Sequence, residues 1–145
     1  MRETTRKSAK NRAWKAFADF IKFRDSGRNG LVKCCTCPKI LHYKDRTCNA
    51  GHFVGSRSES VLFREDIVHA QCCACNASGG EQAKYAMFMK KKYNLNDDQI
   101  EELLNLRHTI LKRTQQDYLE IEATYKNKLE ALKLMRSLAC QSQSL

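Results

Sequence analysis

Four cysteines of this chain have the spacing of metal ligands. They form two C-x2-C pairs, in the segments VKCCTCPK and HAQCCACN: Cys34 with Cys37, and Cys72 with Cys75. Two such turns commonly supply the four soft ligands of a tetrahedral zinc ion. The second cysteine of each doublet cannot replace the first, because a proline occupies position 38 and an asparagine occupies position 76. The spacing therefore predicts a structural Zn²⁺ site.

The remaining four cysteines have no partner at the distance that a C-x2-C turn requires. We expect them to be small, partly buried side chains: Cys35, Cys48, Cys73 and Cys140. In a reducing compartment, eight cysteines at short spacings favour metal binding over disulfides. A four-cysteine site leaves no coordination position open for a substrate, so any catalysis would have to come from other residues.

A histidine and an asparagine near the cysteine pairs are suited to hydrolytic chemistry. His52 follows a glycine on a predicted strand, and a histidine titrates near neutral pH, as a general base requires. Asn76 follows Cys75 directly, and its amide oxygen is a hard ligand that suits Mg²⁺ or Mn²⁺. Taken singly, His52 would be a hydrogen-bonded structural histidine and Asn76 a turn or helix-cap residue. His42 and His108 show no pattern beyond a place on the surface or in the fold.

Taken together, these residues resemble the zinc-bound HNH (ββα-metal) endonucleases, including phage endonuclease VII, a resolvase of branched DNA. The closer resemblance is to the phage lambda NinG (Rap) recombination-endonuclease family, over roughly residues 30–95. It is carried by six stretches: Cys34–Cys37, AGHF (50–53), VLFRED (61–66), HAQCCACN (69–76), SGG (78–80) and Tyr85.

The resemblance implies a zinc-stapled ββα-metal (HNH-like) core and a metal-dependent DNA endonuclease. His52 would be its general base and Asn76 would hold the catalytic Mg²⁺ or Mn²⁺, while His69 would bind that metal or orient one of its ligands. The implied substrates are branched recombination intermediates such as Holliday junctions and D-loops. The implied setting is phage recombination in the host cytoplasm.

Two positions depart from the HNH pattern. An acidic metal ligand usually stands directly before the base histidine, and here that residue is Gly51. The central asparagine of the motif falls near Ile67, whose side chain cannot orient a histidine. The second protein ligand of the catalytic metal therefore stays open among three residues: Glu65, Asp66 and His69.

The positive charge of the chain is concentrated in its first third. The formal net charge is +10, and residues 1–50 carry 13 Lys and Arg against 4 Asp and Glu. A local positive field of this kind favours a polyanionic partner, of which nucleic acid is the usual one. We expect DNA to contact the basic residues of the N-terminal segment: Arg6, Lys7, Lys10, Arg12, Lys15 and Lys22.

The hydrophobic pattern predicts a small α+β protein with helices on both sides of the cysteine segment. Apolar residues at helical spacing predict helices over residues 8–24 and 81–93. Two short strands are expected near 50–54 and 61–64. Asn96 with Gln99 matches a capping box, and helical character continues from there to about Leu138. We divide the chain into residues 1–30 (basic helix and loop), 31–95 (nuclease-like core) and 96–145 (helical extension).

The C-terminal helical stripe has two alternative partners. Its apolar residues either fold back on the core or pair with a second copy of the chain, which would give the homodimer that a two-strand resolvase needs. No apolar run approaches the roughly 18 residues of a membrane span, so no membrane partner is expected.

Three other functions compete with a structure-specific endonuclease. The chain could be a non-catalytic zinc module that binds DNA or RNA, which Gly51 and Ile67 favour. It could be a protein-interaction module that displays its long helix. It could also be an HNH nuclease without branch preference, although no appended recognition module is present to give sequence specificity.

Overall fold

The computed structural model describes residues 5–143. Within that range the protein is a mixed α+β chain of six α-helices and four short strands. The elements follow in this order: α1 (Arg6–Asp25), β1 (Leu31–Lys33), β2 (Ile40–His42), β3 (Cys48–His52), α2 (Glu59–Leu62), β4 (Val68–Cys72), α3 (Cys73–Ala77), α4 (Gln82–Tyr93), α5 (Asp97–Asn105) and α6 (Gln115–Ser142).

The strands form two separate antiparallel hairpins, β1 with β2 and β3 with β4. In the second hairpin Gly51 lies opposite His69, and His52 lies opposite Val68. The strand predicted near 50–54 is therefore present as β3. The strand predicted at 61–64 was wrong, because Val61 and Leu62 are buried in the short helix α2. An apolar run of three or four residues fits a buried strand and a buried helical turn equally well.

Helix α1 forms where its apolar periodicity predicts it. The Thr5 side chain accepts the backbone N–H of Ser8 at 3.2 Å and caps its first turn. One face of the helix is buried over about three and a half turns, through Ala9, Ala13, Ala16, Phe17, Phe20 and Ile21. Trp14 is only partly buried at the edge of this face, which leaves its ring available to a neighbouring side chain.

The C-terminal segment, whose helical character was predicted to continue from Asn96 to about Leu138, is interrupted. The capping box of Asn96 and Gln99 is present and begins α5. A short 3₁₀ turn follows, residues 109–114 are not helical, and a second capping box, Thr114 with Asp117, begins α6. This second capping box accepts and donates hydrogen bonds at the first turn of α6, so it stabilises the start of a separate helix at Gln115.

Helix α6 folds back on α1, which is one of the two alternatives predicted for its apolar stripe. The two helices run in the same direction, because their contacts advance together along both. Arg12 pairs with Glu122 at 2.8 Å, and the ring centroids of Phe17 and Tyr125 are 4.8 Å apart. The end of the stripe is not covered in this way, since Met135 is 66% exposed.

The apolar interior consists of two clusters. The larger one draws on α1, the β3–β4 hairpin, α2, α4, α5 and α6, and includes Phe53, Tyr85 and Tyr118. The smaller one surrounds the cysteine pairs, with Val32, Leu41, Cys48 and Ala70. Residues from all three predicted segments of the chain thus pack in the larger cluster. The boundaries between these segments stay a prediction.

No helix among residues 5–143 is both long enough and apolar enough to cross a membrane.

Candidate metal centre and adjoining cavity

The two C-x2-C pairs meet between the hairpins. Cys34 and Cys37 lie in the loop between β1 and β2, while Cys72 ends β4 and Cys75 lies in α3. All four sulfur atoms lie within 4.8 Å of one another. The Sγ atoms of Cys37 and Cys72 are 3.8 Å apart. Four Zn–S bonds of about 2.3 Å place the sulfur atoms about 3.8 Å apart at the corners of a tetrahedron, which is the separation of Cys37 and Cys72. A disulfide would need an S–S distance of about 2.05 Å instead.

Hydrogen bonds prepare this cluster for a cation. The backbone N–H of Cys72 donates to Cys34 Sγ at 3.3 Å, and the Thr36 hydroxyl lies 3.4 Å from the same sulfur. Burial opposes ionisation of Cys34, but these hydrogen bonds outweigh it and lower its pKa to about 6. Thiolates are the form that binds metal. The four cysteines therefore fit a structural metal such as zinc.

The neighbouring cysteines of the two doublets lie outside this cluster of four. Cys35 packs against the larger apolar cluster instead, and burial raises its pKa, so its thiol stays neutral. Cys48 is buried beside the metal cluster, and burial likewise raises its pKa. The prediction that the first and not the second cysteine of each doublet belongs to the site agrees with the cluster of four.

A cavity of about 760 Å³ opens next to the cysteine cluster and contains both His52 and Asn76. One wall is α1, the floor is strand β3, and the other wall runs from α3 to Gly80. Lys15, Lys22 and Arg57 bring positive charge to it, and Asp19 is the carboxylate among its lining residues. Asn49 supplies a second amide group besides Asn76. The cavity is thus a cationic groove with several oxygen donors.

His52 is held in one orientation and one tautomer. Its ring stacks on that of Trp14, with centroids 5.1 Å apart and planes at 17°. Its Nε2 lies 3.1 Å from the backbone oxygen of Leu62 at the end of α2. Because a carbonyl only accepts hydrogen bonds, Nε2 carries the proton and the lone pair lies on Nδ1. Burial lowers the pKa of His52 below its usual 6.5, and the nearby Arg57 charge acts in the same direction.

Asn76 reaches the cavity because of its neighbour in the chain. It follows Cys75, whose sulfur belongs to the cysteine cluster, and it lies in the short helix α3. Asn76 is exposed, and no hydrogen bond joins its side chain to another residue of the described range. Its amide oxygen is thus available to a ligand in the groove.

His69 does not line the cavity that contains His52 and Asn76. It is 1% exposed and borders a different cavity, together with Asp25, Phe88 and Tyr93. The Tyr85 hydroxyl donates to Gly51 O at 2.7 Å, so it accepts from His69 Nδ1–H at 3.1 Å. The other ring nitrogen, Nε2, accepts from Tyr93 at 2.7 Å.

The expected catalytic role of His69 therefore has no support in the geometry. Both ring nitrogens are occupied, and burial lowers the pKa of this imidazole to about 4, so it stays neutral. Its position indicates a structural role within the hairpin and α4. The two acidic alternatives do not line the cavity either: Asp66 pairs with Arg64 at 2.6 Å, and Glu65 accepts from the Tyr125 hydroxyl at 3.0 Å.

The side chain of Gln71 fills the space in which a side chain at position 51 would lie. A Cβ atom at Gly51 would lie 2.2 Å from Gln71 Oε1 and 2.9 Å from Gln71 Cβ. Nε2 of Gln71 donates to Gly80 O at 2.9 Å and to Thr36 Oγ1 at 3.0 Å. Its Oε1 is the buried side-chain oxygen that has no hydrogen-bond partner among the described residues. An acidic side chain at position 51 thus has no room here.

The basic residues predicted to bind DNA lie in three different environments. Three of them dock α1 on its neighbours: Arg6 donates to Arg113 O at 3.1 Å, Lys10 pairs with Glu59, and Arg12 pairs with Glu122. By contrast, Lys15 and Lys22 line the cavity that contains His52. Lys7 lies in a shallow depression at the start of α1.

Several residues of the cavity were not predicted from the sequence: Trp14 in its stacking role, Asn49, Arg57 and the carbonyl of Leu62. The apolar stripe of α1 identified Trp14 only as a core residue. The excess of basic residues in the first third of the chain predicted positive charge near His52. It did not identify Arg57.

Comparison with known protein families gives a match over most of the chain. The family model described as bacteriophage lambda NinG protein matches residues 3–134. No curated protein and no solved structure matches the chain significantly.

The doublets provide a matched test of the metal centre. We expect Cys72→Ser to reduce bound zinc from one ion per chain to nearly none, because the tetrahedron loses a ligand. Stability should fall by several kcal/mol, since structural zinc contributes on the order of 10 kcal/mol to folding in small zinc domains. Cys73→Ser, one residue along, should retain zinc. Zinc content by elemental analysis and urea unfolding measure both effects, and equal zinc loss in the two variants would contradict this ligand set.

The close approach at Gly51 gives a second prediction. Gly51→Ala should lower the free energy of unfolding by about 1–3 kcal/mol, as is typical when a core is overpacked. The matched control is Gly55→Ala, because a Cβ there meets no atom closer than 3.9 Å. Urea denaturation compares the two variants. Equal free energies of unfolding for both variants would contradict this prediction, because they would show that the Gln71 side chain can move aside without loss of stability.

Proposed function

The chain belongs to the bacteriophage lambda NinG family, and on this premise we propose that it is a metal-dependent DNA endonuclease of the HNH type. The observation that carries the proposal is the cavity that contains both His52 and Asn76 beside the cysteine cluster. The β3–β4 hairpin followed by α3 would be the ββα-metal core, as in endonuclease VII. Branched recombination intermediates would be its substrates, as the family resemblance implies.

His52 is suited to activate water in this proposal. The hydrogen bond to Leu62 O fixes Nε2 as the protonated nitrogen, so Nδ1 accepts the proton from water as it attacks phosphorus. Burial keeps the ring neutral at physiological pH by lowering its pKa. Stacking on Trp14 holds the ring in place without using a ring nitrogen.

The donor groups of the cavity fit a hard divalent cation. Asn76 would hold it, and Asn49 and Asp19 are further oxygen donors among the lining residues. A bound Mg²⁺ or Mn²⁺ would supply positive charge against the charge that develops on the phosphate and on the leaving oxygen. The zinc of the cysteine cluster would have no open position and would only hold the fold.

Positive charge around the cavity supports a nucleic-acid substrate. Lys15, Lys22 and Arg57 line it together with His52. Arg57 forms no ion pair with any residue of the described range, so its charge is available to a phosphate. Charge of this kind attracts DNA without regard to sequence.

A non-catalytic zinc module that binds nucleic acid is the second candidate. The observation in its favour is that the position of the usual acidic ligand is glycine and is filled by Gln71. In that case the cationic groove would bind DNA and His52 would be a structural residue, held between Trp14 and Leu62. The two functions differ in one measurement, the dependence of strand cleavage on His52.

We expect His52→Ala to lower the rate of cleavage by about 10²–10⁴-fold, as loss of a general base does. The substrates are a four-way DNA junction and a matched linear duplex, with Mg²⁺ or Mn²⁺. The matched control is His108→Ala, because His108 is exposed on the turn between α5 and α6 and should be dispensable. Both variants must retain zinc. DNA binding without cleavage by the unaltered protein would favour the non-catalytic module, and equal cleavage of junction and duplex would remove the branch preference.

The pH dependence gives an independent test of the base. Only a neutral imidazole accepts the proton, so the rate should fall as pH drops through the pKa of folded His52. That pKa lies below the usual 6.5 because of burial, so the acid limb of kcat/KM should have its midpoint below pH 6.5. Circular dichroism and zinc content at each pH exclude unfolding as the cause. A midpoint above 6.5 would contradict His52 as the base.

A further inference from the structure

We propose that a second cationic cavity, next to the one with His52 and Asn76, binds the phosphate backbone of the same DNA strand. This inference rests on the endonuclease function proposed above and extends the substrate site beyond the reacting phosphate. It assigns DNA contacts to the loop between β2 and β3 and to α6.

The two cavities form one continuous groove. The second has a volume of about 510 Å³. Five residues line both cavities: Lys15, Asp19, Lys22, Cys48 and Asn49. The far side of the second cavity consists of Tyr43–Arg46 and of Leu129 and Lys133 on α6. A polymer that binds at His52 can therefore continue into it without leaving the surface.

The charge of the second cavity matches a polyanion. Its lining includes five cationic side chains and two carboxylates: Lys15, Lys22, Lys44, Arg46 and Lys133, with Asp19 and Asp45. Asp19 is already paired with Lys15 at 2.7 Å and with Lys22 at 3.4 Å.

Ion pairs with carboxylates leave part of this positive charge available. Asp45 accepts the backbone N–H of His42 at 3.1 Å and thereby closes the turn after β2. Lys44 and Arg46 are exposed and form no ion pair with a residue of the described range. Lys133 pairs with Glu130 at 3.1 Å, so Lys44 and Arg46 are the two cations of this cavity that can bind phosphates without breaking an ion pair within the described range.

The distance along α1 indicates how far these phosphates lie from the reacting phosphate. Trp14 stacks on His52 at one end, and Lys22 lies eight residues further along α1. A rise of 1.5 Å per residue makes this distance about 12 Å. A DNA strand that follows the groove along α1 advances about 3.4 Å per nucleotide, so Lys22 would stand three to four nucleotides from the reacting phosphate. Lys44, Arg46 and Lys133 would contact the phosphates beyond it.

Helix α6 packs along α1 as far as its last turn, where Arg136 donates to Arg24 O at 3.1 Å, so it is one face of α1 that is free for DNA. Near its start, Arg12 is paired with Glu122 of α6, so that part of the helix surface is covered by protein. Further along, the surface of α1 that carries Lys15 and Lys22 faces the groove instead. Lys133, about three turns beyond Glu122 on the same helix, borders the groove from its other side.

The test compares two triple variants in a DNA-binding assay. Lys44→Ala/Arg46→Ala/Lys133→Ala removes the cations of the second cavity. The control, Lys39→Ala/Lys91→Ala/Lys112→Ala, removes the same charge from exposed positions that line neither cavity. Fluorescence anisotropy measures the Kd for a four-way junction at several salt concentrations, without added Mg²⁺ or Mn²⁺. Zinc content and circular dichroism confirm that all proteins are folded.

We expect the cavity variant to bind on the order of 10-fold more weakly. The slope of log K against log salt should also fall by about 2–3, since each lost phosphate contact removes about 0.9. The control variant should match the unaltered protein. Unchanged affinity and slope in the cavity variant, with normal binding by the unaltered protein, would overturn this inference alone. Failure of the unaltered protein to bind DNA would overturn the proposed function as well.

Uncharged methylphosphonate linkages test the predicted distance. Placed about four to six nucleotides from the cut, they should weaken binding of the unaltered protein but add nothing to the defect of the cavity variant. Equal weakening of both proteins would show that these phosphates contact other residues, and it would overturn the proposed path.

Discussion

The approach of four cysteine sulfur atoms is the constraint on which the candidate site depends. It joins the loop between β1 and β2 to the end of β4 and to α3, segments that lie more than 30 residues apart. Through Cys75 it fixes the next residue, Asn76, at the border of the cavity. Through Cys72 it fixes β4, whose register with β3 sets the position of His52. A metal ion in this cluster would thus organise the groove without touching a substrate.

Helix α1 connects this site to the rest of the protein. Its apolar face packs in the larger core, its early basic residues pair with acids such as Glu122 on α6, and Trp14 supports the ring of His52. The same helix therefore contributes to stability, to docking of the C-terminal helix and to the cavity. The positive charge of the N-terminal segment is correspondingly divided: part of it is neutralised within the fold, and part of it faces the groove.

Gly51 shows how the hairpin differs from the HNH pattern that the sequence suggests. The space beside it is filled from the opposite strand by Gln71, which is completely buried and held by Gly80 and Thr36. A single residue change at position 51 would not restore an acidic ligand, because the carboxylate would collide with this amide. In the proposed enzyme, oxygen donors for a catalytic cation would come from elsewhere in the groove, and Asn76 would be the first of them.

The sequence by itself determined the features that follow local rules. Cysteine spacing identified the cluster, apolar periodicity identified α1, and side chains three residues apart identified the cap of α5, because each depends on neighbours within a few positions. Only the tertiary structure decided which basic residues face the groove, that His69 is buried between tyrosines, and that the carbonyl of Leu62 orients His52. These depend on partners far along the chain, as the pairing of Arg12 with Glu122 shows. No local pattern records which distant residue will neutralise a charge or occupy a ring nitrogen.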